Sequence, residues 1–377
     1  MQVRIGVDIG GTKVKAGAVR GEADALDARL AASAQIDTPR LPPDPFYDQL
    51  AALIRGVQSQ AEAAGATVCP VVAVAHPGRF LADGTLARGT TPNLGTAPNQ
   101  FDGIAPAREL ERRLGVSVVA ENDAVAQMRF GLALLVRDPA VRPRLTGQTV
   151  VYLGPGTGMG GGVAQVGADG QVTPVTDGHL FDLQVAGIGD GTLTAEELFT
   201  GPAIAQAVEE ANRTLAVPVL PARAGQLDLL LQRCQTPFKA GKVSDTIRVA
   251  EQIADWQGEI LAAIIQTVHE GRIRKARLER LPDGRVLRHV DEPDRAWRAA
   301  DQRLVRGTAR YVLGGFVGTS RGLGGRIRQR ALERLAARGR SGIEIFQIPR
   351  DAADAGLLGA VHALPQVSDT FQSGKGV

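Results

Sequence analysis

The first residues of the chain alternate between apolar and polar side chains, which predicts a β-hairpin. Residues 1–9 follow this alternation, and an extended pattern resumes over 14–19 after the pair Gly10 and Gly11. Glycine allows another group to approach the backbone closely. A turn of backbone N–H groups also binds anions. We therefore expect the turn either to hold a phosphate group or simply to reverse the chain.

Residues 149–166 repeat this plan, with a buried strand, a glycine-rich turn and a second strand. The turn contains Gly156, Thr157, Gly158 and Gly160. Because a strand rather than a helix follows, the stretch fits neither a Walker loop nor a dinucleotide fingerprint. Two similar hairpins predict a duplicated domain in which each half offers a backbone turn to one phosphate group.

A third glycine pair follows a short apolar run near the end of the chain. Residues 311–313 predict a buried strand, Gly314 and Gly315 a tight bend, and the residues after Ser320 a helix. Two glycines after a strand let a flat purine lie against the backbone. The order and spacing of the three segments together predict a nucleotide-binding protein.

Polar residues also stand where a central apolar strand ends. Residues 116–120 predict a buried strand and Ala124 opens a helical pattern, so Asn122 and Asp123 lie at the corner between them. Asn and Asp are common N-cap residues. Polar side chains at the carboxyl end of a strand also form sites in α/β proteins. Capping and a site are compatible here.

Composition limits the class of protein. A chain of 377 residues forms one large or two ordinary domains, and 44% hydrophobic residues with 4% aromatics predict a core of Ala, Val and Leu. We expect no membrane span, because there is no apolar run of about 18 residues, and no signal sequence. Cys69 and Cys234 are too few for a disulfide framework or a cysteine zinc site, so we expect a cytoplasmic protein.

The charge is unevenly distributed. The net charge is +3, but residues 271–340 hold 19 Lys and Arg against 7 Asp and Glu. The absence of interleaved aromatics favours a solvated face over nucleic-acid binding. Within residues 271–308, two alternating runs around Pro282, Asp283 and Gly284 predict a β-hairpin. Two strands alone are marginally stable, so we expect an oligomer contact, for example in a homodimer, or a lid edge near the nucleotide.

The three glycine segments resemble those of the ROK sugar kinases, within the actin-like ATPase and sugar-kinase superfold. "DIGGTK" (8–13) is similar to the first phosphate motif, "GPGTGMGGG" (154–162) to the second and "VLGGFVG" (312–318) to the adenosine motif. The resemblance implies a two-lobed α/β fold of duplicated ribonuclease H-like halves. A small lobe would cover 1–122 and 354–377 and a large lobe 123–353, with a hairpin insertion near 275–292 and a cleft between the lobes.

The resemblance also implies a reaction, the transfer of the γ-phosphate of ATP to a hexose hydroxyl, O6 of a glucose-like sugar. Asp123 would be the general base, and Asp8 would hold Mg²⁺ through water. The nucleotide would be bound by Gly10, Gly11, Thr12, Lys13, Gly156, Thr157, Gly158, Gly160, Gly314 and Gly315. The sugar would contact Gly78, Asn93, Asn122, Asp123, His179 and Glu196.

One position departs from the family pattern and keeps alternatives open. Thr176 stands where a sugar-binding Glu is expected, and the three cysteines that accompany His179 in zinc-binding members are absent. We therefore expect no zinc site, and His179 either hydrogen-bonds the sugar or packs. A kinase of a different sugar or N-acetylated amino sugar, and a ROK-like protein that binds without turnover, remain alternatives. ATP and polyphosphate both remain open as the donor.

Overall fold

A computed structural model describes the greater part of the chain. The residues it describes are 1–20, 29–91, 94–176, 183–189, 191–214, 224–234, 245–272, 276–280, 286–290, 299–349 and 354–364.

These residues form both strands and helices. The strands are β1 (Gln2–Ile9), β2 (Lys13–Arg20), β3 (Arg29–Asp37), β4 (Thr67–His76), β5 (Ser117–Asn122), β6 (Thr149–Pro155), β7 (Met159–Val166), β8 (Val172–Thr176), β9 (Ala276–Arg280), β10 (Val286–Val290), β11 (Arg310–Leu313) and β12 (Glu344–Gln347). The helices are α1 (Pro43–Ala63), α2 (Pro106–Leu114), α3 (Asp123–Arg137), α4 (Arg142–Leu145), α5 (Ala195–Leu198), α6 (Gly201–Thr214), α7 (Ala224–Cys234), α8 (Asp245–His269), α9 (Ala299–Val305), α10 (Gly315–Thr319), α11 (Leu323–Ala337) and α12 (Ala355–His362).

The first sheet contains the predicted N-terminal hairpin. Its strand order is β3-β2-β1-β4-β5. The three strands β1 to β3 are antiparallel, whereas β4 and β5 run parallel to β1. Ile9 faces Val14 across the turn, which confirms the hairpin around Gly10 and Gly11. The apolar residues of β1 are buried because helices cover the sheet, and α12 lies directly against β1.

The second sheet repeats the topology of the first. Its order is β12-β11-β6-β7-β8, with β6, β7 and β8 antiparallel and β11 and β12 parallel to β6. Read from β3 in the first sheet and from β8 in the second, each sheet is an antiparallel meander of three strands followed by two parallel strands. This correspondence confirms the duplicated α/β fold that the two glycine hairpins predict.

The chain divides into two compact units. Unit 1 contains Met1–Phe130 and the chain from Asp354, and unit 2 contains Gly131–Ala353. The first boundary therefore falls inside α3, whereas the sequence analysis placed it before that helix, between residues 122 and 123. A helix is continuous, so its two ends can belong to different cores.

Each unit has its own hydrophobic core. In unit 1 the rings of Phe46, Tyr47 and Phe101 meet edge to face, with centroids 4.9–5.9 Å apart, among the aliphatic residues of β1, β2 and β4. In unit 2 the apolar side of α8 packs with Phe199 and Tyr311. These five aromatic residues therefore lie in the cores, whereas Trp256 and Phe316 are exposed.

Part of the basic block is neutralised within unit 2. On α11, Arg326 contacts Asp255 at 2.7 Å and Glu251 at 2.8 Å, and Arg330 contacts Glu259 at 3.0 Å, all three acids belonging to α8. The helices approach closely because Gly258 has no side chain, since a Cβ there would lie 2.5 Å from Cβ of Arg330. These arginines therefore face acidic partners along the helix pair.

The inserted hairpin is present. Strands β9 and β10 pair antiparallel, from Val286 opposite Arg280 to Val290 opposite Ala276, and form a separate two-stranded sheet. The predicted turn at Pro282, Asp283 and Gly284 lies outside the described residues. Within the described chain, no helix is both long and apolar enough to cross a membrane.

Candidate functional site

Hydrogen bonds to its carbonyl groups fix the first glycine turn, between β1 and β2. Gly10 N donates to the carbonyl of Lys13 at 2.9 Å. Thr38 Oγ1 donates to the carbonyl of Gly10 at 2.7 Å, and Arg40 Nη2 donates to that of Gly11 at 3.2 Å. Neither Gly10 nor Gly11 has a positive φ, so glycine supplies room here rather than an unusual conformation. Thr12 and Lys13 are exposed at the same turn.

Thr38 and Arg40 are supporting residues that the sequence analysis missed. They follow β3, nearly thirty positions along the chain from the turn, and no local pattern marks them. Only the pairing of β2 with β3 brings them to the turn.

Asp8, at the end of β1, belongs to a cluster of charged side chains in unit 1. It stands opposite Lys15 in the register of β1 and β2, and Lys15 forms an ion pair with Asp354 just before α12. The carboxylate of Asp8 lies against Gly356, where a Cβ would come within 2.4 Å of it. Burial, then the charges of Asp123 and Asp354, raise the pKa of Asp8 to about 7, against the opposing effect of Lys15.

Asp123 is the first residue of α3 and is half-buried. Its Oδ1 accepts the N–H of Ala124 at 2.8 Å. Burial raises the pKa of Asp123 to about 6, and the hydrogen bond from Ala124 opposes this shift. A carboxylate with a pKa near the working pH is suited to accept a proton from a hydroxyl group.

Asn122 is buried at the end of β5 and caps α3. Its Oδ1 accepts the N–H groups of Ala124 at 3.0 Å and Val125 at 3.2 Å, and its Nδ2 donates to the carbonyl of Gly78 at 2.9 Å. Gly78 has a φ of 102°, and a Cβ there would lie 2.7 Å from the methyl group of Thr91. The side-chain oxygen of Asn122 therefore serves the helix, which leaves its second amide N–H as the group suited to a ligand hydroxyl.

The second glycine turn, between β6 and β7, already holds a carboxylate. Glu196 Oε2 accepts the N–H of Met159 at 2.5 Å, and a Cβ on Gly158 would lie 3.3 Å from both oxygens of Glu196. A hydrogen bond closes the turn, in which Gly156 N donates to the carbonyl of Gly158 at 2.8 Å. Gly201 N donates to the carbonyl of Gly156 at 2.8 Å. Thr157 is exposed at the turn, and Gly160 continues into β7.

This contact of Glu196 is not one that the sequence analysis expected. Glu196 lies on the short helix α5, which a capping box between Thr194 and Glu197 fixes at its start. Its carboxylate therefore reaches the turn from a defined position. The contact places a carboxyl oxygen on a backbone N–H of this turn, a kind of group that also binds anions.

The third glycine pair has a packing role. Gly315, with a φ of 63°, is the first residue of α10, so a helical turn starts directly after Gly314. A Cβ on Gly314 would lie 2.4 Å from the hydroxyl of Tyr152, and one on Gly315 would lie 2.6 Å from the carbonyl of Pro155. The missing side chains let α10 pack on the end of β6.

Some predicted positions cannot be compared with the structure. Asn93 and His179 lie outside the described residues, and Thr176 is the last residue of β8. Among the described residues, no group of three or more His, Cys, Asp or Glu side chains is arranged to hold a metal ion. Asp8 still fits a magnesium ion held through water, because its carboxylate is a hard oxygen ligand beside two further acids, Asp123 and Asp354, and one lysine.

Comparison with known proteins identifies the family. The model of the ROK family matches residues 4–226. The chain belongs to the ROK family. This membership confirms the family resemblance, and the first two glycine segments lie within the matched residues. No curated protein matches the sequence.

Solved structures with the same fold include enzymes and a regulator. A ROK hexokinase from Thermus thermophilus has 21% identity and a TM-score of 0.56, with 96% of this chain and 97% of that one covered. A ROK family glucokinase from Streptomyces griseus, in complex with glucose and AMPPNP, has 19% identity, a TM-score of 0.58 and coverage of 95% and 98%. A ROK family transcriptional regulator, a homologue of the E. coli MLC protein, has 13% identity, a TM-score of 0.61 and coverage of 96% and 78%. These similarities confirm the actin-like ATPase fold for this ROK protein.

Proposed function

We propose that this protein is an ATP-dependent sugar kinase that phosphorylates a hexose hydroxyl, O6 of a glucose-like sugar. The observation that carries the proposal is the pair of Asp123 and Asp8 in unit 1. Asp123 is half-buried with a raised pKa, and it is close enough for its charge to raise the pKa of Asp8. Phosphoryl transfer uses a base for the acceptor hydroxyl and a nearby ligand for a cation.

The backbone turns bind the donor in this proposal. Gly10, Gly11, Thr12 and Lys13 of the first turn, and Gly156, Thr157, Gly158 and Gly160 of the second, hold phosphate groups. Gly314 and Gly315 hold the adenosine. Their contribution is to set the position of α10, because they have no side chains. Asp8 would hold Mg²⁺ through water, and that ion supplies positive charge to the phosphate oxygens.

Asp123 acts on the acceptor. Its carboxylate accepts the proton of the sugar hydroxyl as the hydroxyl oxygen forms a bond to the γ-phosphorus. The bond from that phosphorus to the β,γ-bridging oxygen breaks, and ADP leaves with the electron pair. General-base catalysis of this kind contributes a factor of about 10²–10⁴ in rate. Gly78, Asn93, Asn122, His179 and Glu196 orient the sugar.

A different acceptor is the second candidate. Thr176, at the end of β8, replaces the Glu expected from the family pattern, and a hydroxyl cannot provide the charged acceptor that a carboxylate gives to a sugar hydroxyl. A different hexose or an N-acetylated amino sugar is therefore the alternative substrate class. A third candidate is binding without turnover, for which the similar transcriptional regulator is the supporting observation. The presence of both Asp8 and Asp123 favours the kinase.

A coupled assay of ADP release tests these candidates. Purified protein with ATP and Mg²⁺ is offered glucose, mannose, fructose, N-acetylglucosamine and N-acetylmannosamine, beside Asp123→Asn and the surface control Glu62→Gln on α1. We expect turnover with one sugar that is lost in Asp123→Asn and kept in Glu62→Gln. Nucleotide binding without turnover on any sugar would reject the kinase and favour the binding protein. A second series with polyphosphate identifies the donor.

The place of action and the assembly are also part of the proposal. We place the protein in the cytoplasm because its two cysteines suit a reducing compartment. Its partners are then a small sugar and a nucleotide, and the paired arginines of α11 argue against nucleic acid. A homodimer joined through the β9–β10 hairpin is the assembly to test.

A further inference from the structure

His76 is a buried titratable residue that the proposed reaction does not use. It is the last residue of β4, it is completely buried, and it lies beside Asn122 in the register of β4 and β5. The ring of Tyr47 stacks on it with centroids 6.2 Å apart, and Phe80 and Phe101 lie at 6.3 Å. An imidazole in such a place needs partners for both nitrogens, because an unsatisfied buried polar group costs stability.

Both nitrogens of His76 have a partner. Nδ1 lies 2.6 Å from the carbonyl oxygen of Pro77, and Nε2 lies 3.1 Å from the hydroxyl of Tyr47. A carbonyl only accepts, so Nδ1 carries the proton and Nε2 accepts the hydrogen of Tyr47. Burial lowers the pKa of His76 to about 4, which keeps the ring neutral. The tautomer and the ring orientation are therefore fixed.

Backbone and hydrogen bonds together connect His76 to Asp123. The carbonyl that His76 holds belongs to Pro77, the residue before Gly78, and Asn122 Nδ2 donates to the carbonyl of Gly78 at 2.9 Å. Asn122 Oδ1 and Asp123 Oδ1 then share the N–H of Ala124, at 3.0 and 2.8 Å. The Pro77 and Gly78 carbonyls belong to consecutive peptide units joined at Cα of Gly78, so the position of the first bears on the second, and through Asn122 and the N–H of Ala124 on the carboxylate of Asp123.

We propose that His76 is a positioning residue for the general base. Its hydrogen bond to the carbonyl of Pro77 fixes the position of the neighbouring Gly78 carbonyl. That carbonyl accepts from Asn122, and Asn122 in turn fixes the carboxylate of Asp123. The catalytic consequence rests on the proposed kinase function, whereas the structural link does not. Small displacements of a reacting group have large effects, because the rate depends on near-attack geometry.

Two substitutions at His76 separate its contacts. The amide nitrogen of Asn can replace Nδ1, so His76→Asn keeps the bond to Pro77 and gives up the bond to Tyr47. The amide oxygen of Gln can replace Nε2, so His76→Gln keeps the bond to Tyr47 and gives up the bond to Pro77. Tyr47→Phe is the matched control, because it removes the Tyr47 hydroxyl and leaves Nδ1 unchanged.

The first readout is kinetic. We expect His76→Gln to lower kcat by about tenfold or more, with the KM for ATP unchanged, and His76→Asn and Tyr47→Phe to keep kcat within about twofold. Equal losses in all three variants, in step with their thermal stability, would mean a packing role and would overturn the proposal. If His76→Gln does not fold, Asn122→Ala breaks the same link beyond Gly78, and an unchanged kcat in that variant also overturns it.

The second readout does not need turnover. Hydrogen exchange at the amides of Ala124 and Val125 reports the cap that Asn122 provides, and we expect it to be at least about tenfold faster in His76→Gln only. Faster exchange in a protein that turns over no sugar would uphold the positioning role and reject the kinase. Turnover with unchanged exchange and unchanged kcat would uphold the kinase and overturn the positioning role.

Discussion

At the scale of residues, burial raises the pKa values of both Asp8 and Asp123, but the effect on the protein differs between the two groups. Burial is the largest contribution for both Asp8 and Asp123. Asp8 also faces the charges of Asp123 and Asp354. Asp123 must lose its proton to act as a base, whereas Asp8 in its ionised form adds unbalanced negative charge to the cluster.

The proposed base predicts a pH dependence of activity. The proton of Asp123 must be absent before it can accept one from the sugar, so kcat/KM for the sugar should rise with pH through about 6. Below that pH it should fall by about tenfold for each pH unit. The assay at saturating ATP and Mg²⁺, from pH 4.5 to 8, measures the profile. A flat profile across pH 6 would contradict the role of Asp123.

Asp8 predicts a pH dependence of stability. Its pKa in the folded protein, about 7, exceeds the ordinary value of 3.8, so ionisation of Asp8 costs folding free energy, increasingly as the pH rises towards 7 and fully above it. Asp8→Asn removes this cost, and we expect it to raise the melting temperature at pH 8 and to leave it nearly unchanged at pH 3.5. Glu62→Gln, at an exposed position of α1, is the control. An equal shift at both pH values would show that packing, not charge, explains the effect.

At the scale of elements, close approach explains several glycines that lie far apart in sequence. Gly6 on β1 gives room to Val361 and Leu357 of α12, and Gly258 on α8 gives room to Arg330 of α11. In each case the partner lies on an element made much later in the chain. The glycine is therefore needed for packing between elements rather than for the shape of its own strand or helix.

The contact of α5 with the second turn predicts an effect on nucleotide binding. A hydrogen bond to a charged group contributes about 1.5–3 kcal/mol, so Glu196→Ala should weaken binding of AMPPNP by about tenfold, because the turn loses the partner of Met159 N. Glu196→Gln keeps an acceptor oxygen and should bind AMPPNP nearly as the wild type does. Calorimetric titration measures both. Glu210→Ala, on the exposed face of α6, is the control.

The opposite result at Glu196 has a clear meaning. Tighter binding of AMPPNP in Glu196→Ala would show that the carboxylate competes with the nucleotide phosphates for the turn. Unchanged affinity for AMPPNP in both variants would mean that Glu196 does not affect nucleotide binding, and the proposed sugar contact would be its only role.

The sequence predicts local elements well and contacts between distant elements poorly. The hairpins at Gly10 and at Gly156 follow from alternation and turn residues within about twenty positions, and the position of Asp123 at the start of α3 follows from the polar pair after β5. Nothing near Thr38, Arg40 or Glu196 in sequence indicates that they reach the glycine turns. Those contacts depend on strand order and on how α5 returns to β7, which only the fold determines.

At the scale of the whole molecule, the basic block contains an inserted hairpin and a set of ion pairs between α11 and α8. The arginines of α11 face acids of α8, and exposed pairs of this kind contribute little individually, with a median of about 0–1 kcal/mol. The uneven charge seen in the sequence is partly a consequence of where two paired helices fall along the chain.

The β9–β10 hairpin predicts a change in assembly. A two-stranded sheet is marginal alone, so deletion of residues 275–292 should convert a dimer to a monomer or weaken nucleotide binding. Light scattering and AMPPNP titration measure the two effects. The control replaces residues 281–285 by Asn-Gly, which keeps both strands. A deletion variant with the mass and nucleotide affinity of the wild type would reject both roles for the hairpin.

The position of α12 has a consequence for synthesis. Unit 2 is one continuous stretch, so all of it emerges from the ribosome before Ala355 does, whereas β1 needs Leu357 and Val361 to complete its packing. The usual order, in which the N-terminal part folds first, is therefore reversed. The nascent chain must carry an unfinished first sheet, with Asp8 and Asp123 already made, until the helix that closes it emerges.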